Sequence, residues 1–322
     1  MKLDDRVYGK EEIKEQVLID LISCKSVQRL RGLAQYGLPD RYYHKKNFSR
    51  YEHSIGVMIF LRQLGADLNE QIAGLLHDVS HTAFSHVVDW VIGDPTKEDH
   101  QDTIHDGMIK NSEIPNILQT YRLDYRDISD INQFSLLERA APSLCVDRID
   151  YSLREMNHDG ENTESFISNL KNKNGQLTFL DGGIARKFAL KYAELQRVHW
   201  AGDQARARYF ILADILRYGL NEKIISMDDL KQEDNFVINK LIEHEDKYCL
   251  DKLNLLKNGF NVRESENGIV LLKKFRYVDP EISVNGNMRR LSEIDDDYRV
   301  FLEDERKNYS CQRKIVMERI LK

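Results

Sequence analysis

Residues 71–89, QIAGLLHDVSHTAFSHVVD, decide how the rest of the chain is read. Ile72–Leu76 form a short, unbroken apolar run of the kind that ends a buried helix, and the run stops directly at His77 and Asp78. Placing two polar side chains straight after such a stretch costs free energy unless each finds a partner. His77 and Asp78 therefore need a reason. The composition points to the same place. Of ten histidines, seven (His44, His53, His77, His81, His86, His100 and His105) fall within residues 44–105, where an even spread would put about two.

Working upstream, a helix is expected to start near Tyr51 and carry Ile55, Met58, Ile59 and Leu64 inward, after a polar, aromatic loop, DRYYHKKNFSR. Before that loop, EEIKEQVLIDLISCKSVQRLRGLAQYG places Ile13, Val17, Ile19 and Leu21, then Val27, Leu30 and Leu33, at spacings that line an apolar helix face, with Gly37 and Pro39 as the stop. Downstream, QFSLLERAAPSLCVDRIDYSLREMNHDG and a long pattern from about Ile184 to Leu220 read as amphipathic helices. From about Asn261, NVRESENGIVLLKKFRYVDPEISV alternates apolar and polar residues. A hairpin is expected around Glu266-Asn267-Gly268, with KKFRYVDP as a strand whose charges alternate outward and Pro280 closing it. The closing stretch from Leu291 balances its charges and reads as solvated helix. The expected fold is mainly α: a helical core over 1–220, then a smaller α+β region over 221–322 that contains a β-hairpin.

Composition narrows the function. The chain has 322 residues, 41% of them hydrophobic, and a formal net charge of -6. These values suit a globular chain and argue against nucleic acid as the main partner. No apolar run approaches the roughly 20 residues of a membrane span, and the start MKLDDRVYGKEE carries acids where a signal peptide needs a basic end. A cytoplasmic location without membrane partners is expected. Cys24, Cys145, Cys249 and Cys311 lie far apart without a CxxC pair and read as structural thiols.

His53, His77-Asp78 and Asp147 in CVDRIDY together offer two imidazoles and two carboxylates, a set suited to a divalent ion with positions left for water and substrate. The pattern H…HD…D, with HD at the end of an apolar helix, resembles the HD-domain metal-dependent phosphohydrolases. SVQRLRGLAQYG, SRYEHSIGVM, QIAGLLHDVSHTAFSHVVD and CVDRIDYSLRE resemble, in order, the branch of the dGTP triphosphohydrolases and the SAM- and HD-domain dNTP triphosphohydrolase.

That resemblance implies an all-helical fold around a divalent metal (Mn, Fe, Co, Ni or Mg) held by His53, His77, Asp78 and Asp147. It implies that His81, His86 and His100 stand at the phosphates and the scissile bond, with Asp89 as a partner able to orient an imidazole. His100 and His81 are both candidates for the proton donor. Arg50 and Arg148 match basic positions over the triphosphate, Tyr151 and Glu155 match positions near sugar and phosphates, and Gln35 matches a reader of the sugar 3′-hydroxyl. Trp200 is the candidate for stacking on the base, with a core role as its alternative. Arg148, Tyr151 and Glu155 also share one helical stripe by spacing.

The expected activity is hydrolysis of (deoxy)nucleoside triphosphates to nucleoside and triphosphate by a homo-oligomer. The alternatives are a phosphatase or phosphodiesterase on another phosphorylated small molecule, such as a nucleoside monophosphate, and a noncatalytic nucleotide sensor. His105, His158, His199 and His244 read as ordinary, His44 as part of a solvated loop, and Lys45 and Lys46 as a positive rim.

Overall fold

The computed structural model describes residues 1–271, 274–284, 286–310 and 314–320, and Cys311 lies outside these. Two helices frame the site, and a side-chain cap fixes where each begins. Ser49 caps the Arg50–Gln63 helix by accepting from the Glu52 amide at 3.1 Å, and Asp67 caps Leu68–Leu76 through the Glu70 amide at 2.9 Å. Both helices pack together, and a third, Val146–His158, also packs against Arg50–Gln63.

Two glycines set these approaches. A Cβ on Gly74 would lie 2.3 Å from Leu61 Cδ1, and one on Gly56 would lie 1.8 Å from Arg154 Nη2. A side chain at either position would displace the neighbour it meets.

Apolar residues of these helices join the N-terminal segment and the Gly182–Leu195 helix in one core. A second core gathers Leu38, Phe84 and Val87 with the Asp203–Asn221 helix and with Val237, Leu253, Phe260 and Ile315. Packing crosses residue 220: the Ala83 amide donates to the Leu230 carbonyl at 2.7 Å, and the Phe84 amide to Asp234 Oδ1 at 2.8 Å. Phe84 sits at φ 65°, a left-handed conformation uncommon for its type and held by these bonds.

The helices dominate as expected, but several elements depart from the sequence reading. The first apolar face is not one helix: Gln16–Ser23 and Lys25–Arg29 are separated at Cys24, whose ψ of 157° is extended. Phe134–Ser143, expected as helix, is irregular and contains a cis Ala141-Pro142 bond. Gln196–Trp200 forms a π-helical turn that interrupts the pattern from Ile184 to Leu220.

The hairpin expected at Glu266-Asn267-Gly268 is absent. Phe260–Val270 is one long strand whose antiparallel partner is Lys314–Arg319, with a register shift between Glu264 and Ile269. Alternation is the same for a hairpin arm and a long strand, so it does not name the partner. A Cβ on Gly268 would lie 2.6 Å from the Ile315 carbonyl oxygen, so this glycine permits close approach of two strands.

The C-terminal hairpin lies further on, between Glu281–Val284 and Asn287–Arg290, with Gly286 at φ 85° in the turn. It extends a four-stranded sheet in the order Leu170–Lys173, Gln176–Phe179, Glu281–Val284, Asn287–Arg290. KKFRYVDP is not a strand; Lys274–Pro280 is irregular, and Leu272 and Lys273 lie outside the described residues. The closing stretch is helix over Leu291–Ile294 and Asp296–Ser310, and then strand over Lys314–Arg319. Among the described residues no helix is long and apolar enough to cross a membrane.

Candidate metal and phosphate site

The end of the Leu68–Leu76 helix delivers His77 and Asp78 to one point, where His53 from Arg50–Gln63 and Asp147 from the first turn of Val146–His158 meet them. His53 Nε2 lies 2.9 Å from Asp147 Oδ1 and 3.2 Å from His77 Nε2. His77 Nε2 lies 3.5 Å from both Asp78 Oδ1 and Asp147 Oδ1, and His53 Nε2 lies 3.8 Å from Asp78 Oδ2. His53, His77 and Asp147 thus form a group that could hold a metal ion.

The hydrogen bonds behind the rings argue for a cation at this point. His77 Nδ1 donates to the Gly74 carbonyl at 2.7 Å, and His53 Nδ1 donates to Asp150 Oδ2 at 2.7 Å. Both neutral rings then present Nε2 lone pairs to each other and to carboxylate oxygens. Such a meeting of acceptors is repulsive unless a proton or a metal ion stands among them. Burial opposes a charge on His53, yet its bonds to Asp147 and Asp150 raise its pKa to about 9. The surroundings that retain a proton there suit a divalent cation with nitrogen and oxygen ligands.

Asp150 is held in turn by Arg154, which donates through Nε at 3.0 Å and Nη2 at 2.7 Å. Arg154 is fully buried and also pairs with Asp5 and Glu52 at 3.1 Å. This carboxylate behind an imidazole fixes the ring and its tautomer.

The group opens into a cavity of about 590 Å³. Arg50 lies on its wall, donating to Asp78 Oδ2 at 2.8 Å and to Ser85 Oγ at 3.1 Å. Burial opposes a charge on Asp78, but Arg50, His77 and His81 outweigh it and hold its pKa well below the carboxylate range. His81 Nε2 is 3.2 Å from Asp78 Oδ1; burial, helped by Arg50, lowers its pKa well below the usual histidine value. His86 faces the same cavity with Asp89 Oδ2 3.3 Å behind its Nδ1.

Arg148, Tyr151 and Glu155 line the cavity as one stripe, as their spacing predicts. Arg148 donates to the Ser143 carbonyl at 2.6 Å, and Tyr151 shares a hydroxyl bond of 2.6 Å with Tyr192. Glu155 accepts from Lys45 at 3.2 Å, from Trp200 Nε1 at 2.6 Å and from His199. Trp200 is buried against Tyr151 and Tyr192, with both contacts edge-to-face, and lines the cavity. Gln35 is also on the wall, and its Oε1 is buried without a hydrogen-bond partner among the described residues.

His100 is not among the cavity-lining residues. Its backbone amide donates to Asp89 Oδ1 at 3.0 Å at the start of the His100–Lys110 helix, and Gln101, Asp102 and His105 of that helix line the cavity instead. His105 and His199, read as ordinary, are buried within this network; burial lowers the His105 pKa to about 4, and its Nδ1 lies 2.9 Å from Ser80 Oγ. Lys45 is an ion-pair partner of Glu155 and Asp159.

Sequence reasoning also missed Asp150, Glu138, Glu98, Lys274 and Arg276. The i,i+4 pairing of Asp150 with Arg154 was a legible signal; the others reach the cavity only through tertiary folding. KKFRYVDP, expected to point its charges outward, places Lys274, Phe275, Arg276 and Tyr277 on the cavity wall.

Comparison with known proteins gives a consistent picture. Residues 50–152 match the model of the HD domain. Over 307 residues the chain is 36% identical to the uncharacterized protein YdhJ of Bacillus subtilis, covering 93% of this chain and 94% of that one. It is 34% identical over 171 residues to the metal-dependent phosphohydrolase cns2 of Cordyceps militaris, covering 52% of this chain and 49% of that one. A SAMHD1 homolog of Dictyostelium discoideum, named as a deoxynucleoside triphosphate triphosphohydrolase, is 27% identical over 253 residues, 66% of this chain and 48% of its own length. The chain thus spans about half the length of these last two relatives. A phosphohydrolase crystal structure from Bacteroides thetaiotaomicron shares the fold, with a TM-score of 0.71 at 17% identity over 99% of this chain and 100% of that one.

Proposed function

Because the chain belongs to the HD-domain family of metal-dependent phosphohydrolases, we propose that it hydrolyses (deoxy)nucleoside triphosphates to nucleoside and inorganic triphosphate, with His53, His77, Asp78 and Asp147 holding the divalent ion. The observation that carries this reading is the convergence of two Nε2 lone pairs and carboxylate oxygens within 2.9–3.8 Å at the end of a cavity lined by arginines and histidines. A divalent ion bound there polarises a phosphate oxygen and supplies an activated water.

The protein's own groups do the rest. We assign Arg50 and Arg148, both on the cavity wall, to neutralising phosphate charge. His81, kept neutral by burial, donates or accepts a hydrogen bond without adding charge. His86, with Asp89 behind its ring, is the group we assign to protonate the departing 5′-oxygen as water attacks the α-phosphorus. His100 we place behind this pair, where its backbone amide steadies Asp89.

Gln35 offers its unpartnered Oε1 to a sugar hydroxyl, and Tyr151, Glu155 and Trp200 form the wall on which sugar and base rest. The proposal includes a homo-oligomeric assembly, supported by the sequence resemblance; light scattering tests it.

The test is product identity. Metal-supplemented protein is incubated with NTPs, dNTPs, nucleoside monophosphates and cyclic nucleotides, and phosphate products are separated by ion chromatography. Inorganic triphosphate is the expected product. Orthophosphate release selects a phosphatase instead, and binding without turnover selects a sensor.

A further inference from the structure

The cations predicted for the phosphates are largely committed within the protein. Arg50 spends Nη1 on Asp78 and Nε on Ser85. Arg148 directs Nη1 at the Ser143 and Arg139 carbonyls and at Cys145 Sγ, 3.1 Å away, with Nη2 at the Arg139 carbonyl and 3.6 Å from Glu138. Lys45 is paired with Glu155 and Asp159. A substrate carrying three linked phosphates needs further positive charge.

The irregular segment after the Phe260–Val270 strand brings it. Lys274 and Arg276 both line the cavity, and the segment is tied down by Gln196 Nε2 donating to the Lys274 carbonyl at 3.2 Å and Arg206 Nη1 donating to the Leu271 carbonyl at 2.7 Å. Phe275 stacks on Tyr277 at 5.3 Å, and Arg306 lies 4.5 Å from the Tyr277 ring centre. The Arg276 guanidinium, 19% exposed, donates through Nη2 to Glu98, a buried carboxylate on the loop before the His100–Lys110 helix. Its Nε and Nη1 make no hydrogen bond among the described residues, and neither is a buried atom lacking a partner. Those donors therefore reach open space. The Lys274 ammonium likewise has no ion-pair partner among the described residues, and its side chain is exposed.

We propose that Arg276, with Lys274, binds the outer phosphates of a polyphosphorylated substrate, and that Glu98 holds Arg276 in place until the substrate arrives. This rests on the phosphohydrolase reading and deepens it: a grip from the C-terminal region measures how many phosphates the substrate carries. A planar guanidinium with two donors open suits bidentate capture of a phosphate, and an exposed ammonium adds charge. Glu98 orients the fork through one nitrogen and is a positioning residue.

The test is calorimetric titration of the Mn-loaded protein with inorganic triphosphate and, separately, with orthophosphate. Arg276→Ala and Lys274→Ala are expected to weaken triphosphate binding about ten- to hundredfold and orthophosphate binding by less than about threefold. Arg276→Ala removes a guanidinium from beside the buried Glu98 carboxylate, so the double variant Arg276→Ala with Glu98→Gln guards against misfolding and is expected to show the same loss. Glu98→Gln alone is expected to raise the triphosphate Kd modestly at unchanged stoichiometry.

Unchanged triphosphate affinity in folded Arg276→Ala and in the double variant overturns the inference, as does equal loss for both anions. Either result leaves the function reading intact. Conversely, a wild type that binds triphosphate through Arg276 but releases none from nucleotides overturns the function reading and supports the grip.

Discussion

Asp150 is the residue whose removal separates ligation from its support. It touches His53 Nδ1 at 2.7 Å and Arg154 on its other side, yet lies outside the group of four candidate ligands. Asp150→Asn is expected to lower metal affinity about 10- to 100-fold while leaving all four in place, read by calorimetric titration of Mn into the apo protein. Unchanged affinity counts against the tautomer argument. His77 and Asp78 were legible in the sequence because polar residues at the end of an apolar helix demand partners, whereas His53 and Asp147 were legible through the resemblance of the H…HD…D pattern to a known family. Glu98 and Arg276 were not, because they lie 178 residues apart and nothing local to either announces the other. His105 was passed over as one histidine among many; its place beside Ser80 depends on how the His100–Lys110 helix turns toward the cavity.

Among elements, the packing of Arg50–Gln63 on Val146–His158 holds the site together, and Gly56 is its tightest point. Gly56→Ala puts a methyl group where the Arg154–Asp150 pair lies. A loss of about 1–3 kcal/mol in chemical denaturation is expected, with weakened metal binding as Asp150 is displaced. Asp234 ties a C-terminal helix to the loops around the site, accepting the amides of Ala34 and Phe84, both at 2.8 Å. Burial raises its pKa from 3.8 to about 7. Unfolding then releases a proton between those values, so the stability Asp234 contributes is full below about 3.8 and is lost as pH rises through about 7. The stability gap between wild type and Asp234→Asn is expected to narrow over that window in thermal melts at stepped pH; a constant gap contradicts the shift. Helices were readable from apolar spacing because each carries its own hydrogen bonds. The strand pairing Phe260–Val270 with Lys314–Arg319 was not, since alternation marks a strand without saying which distant segment completes it.

At the scale of the molecule, the catalytic helices and the C-terminal region share a core. We propose that 1–220 carries the metal chemistry and that 221–322 closes the cavity around the substrate. Removal of 221–322 exposes Leu38, Phe84 and Val87 as well as the apolar face of Asp203–Asn221. A chain ending at residue 220 is therefore expected to lose cooperative unfolding, as seen by circular dichroism, and a sharp melt from it contradicts this picture. The mainly helical class was legible because most of the chain repeats at helical spacing, whereas the cavity wall built by Lys274–Tyr277 was not, because an irregular segment has no period to read. The most direct measurement of the central claim is the rate of nucleoside triphosphate hydrolysis as metal is titrated into apo protein, wild type beside Asp78→Asn. We expect wild-type turnover to rise with added metal and saturate at a whole number of ions per chain, with the variant silent throughout. Turnover that survives chelation, or a variant as active as wild type, contradicts a metal centre at His53, His77, Asp78 and Asp147.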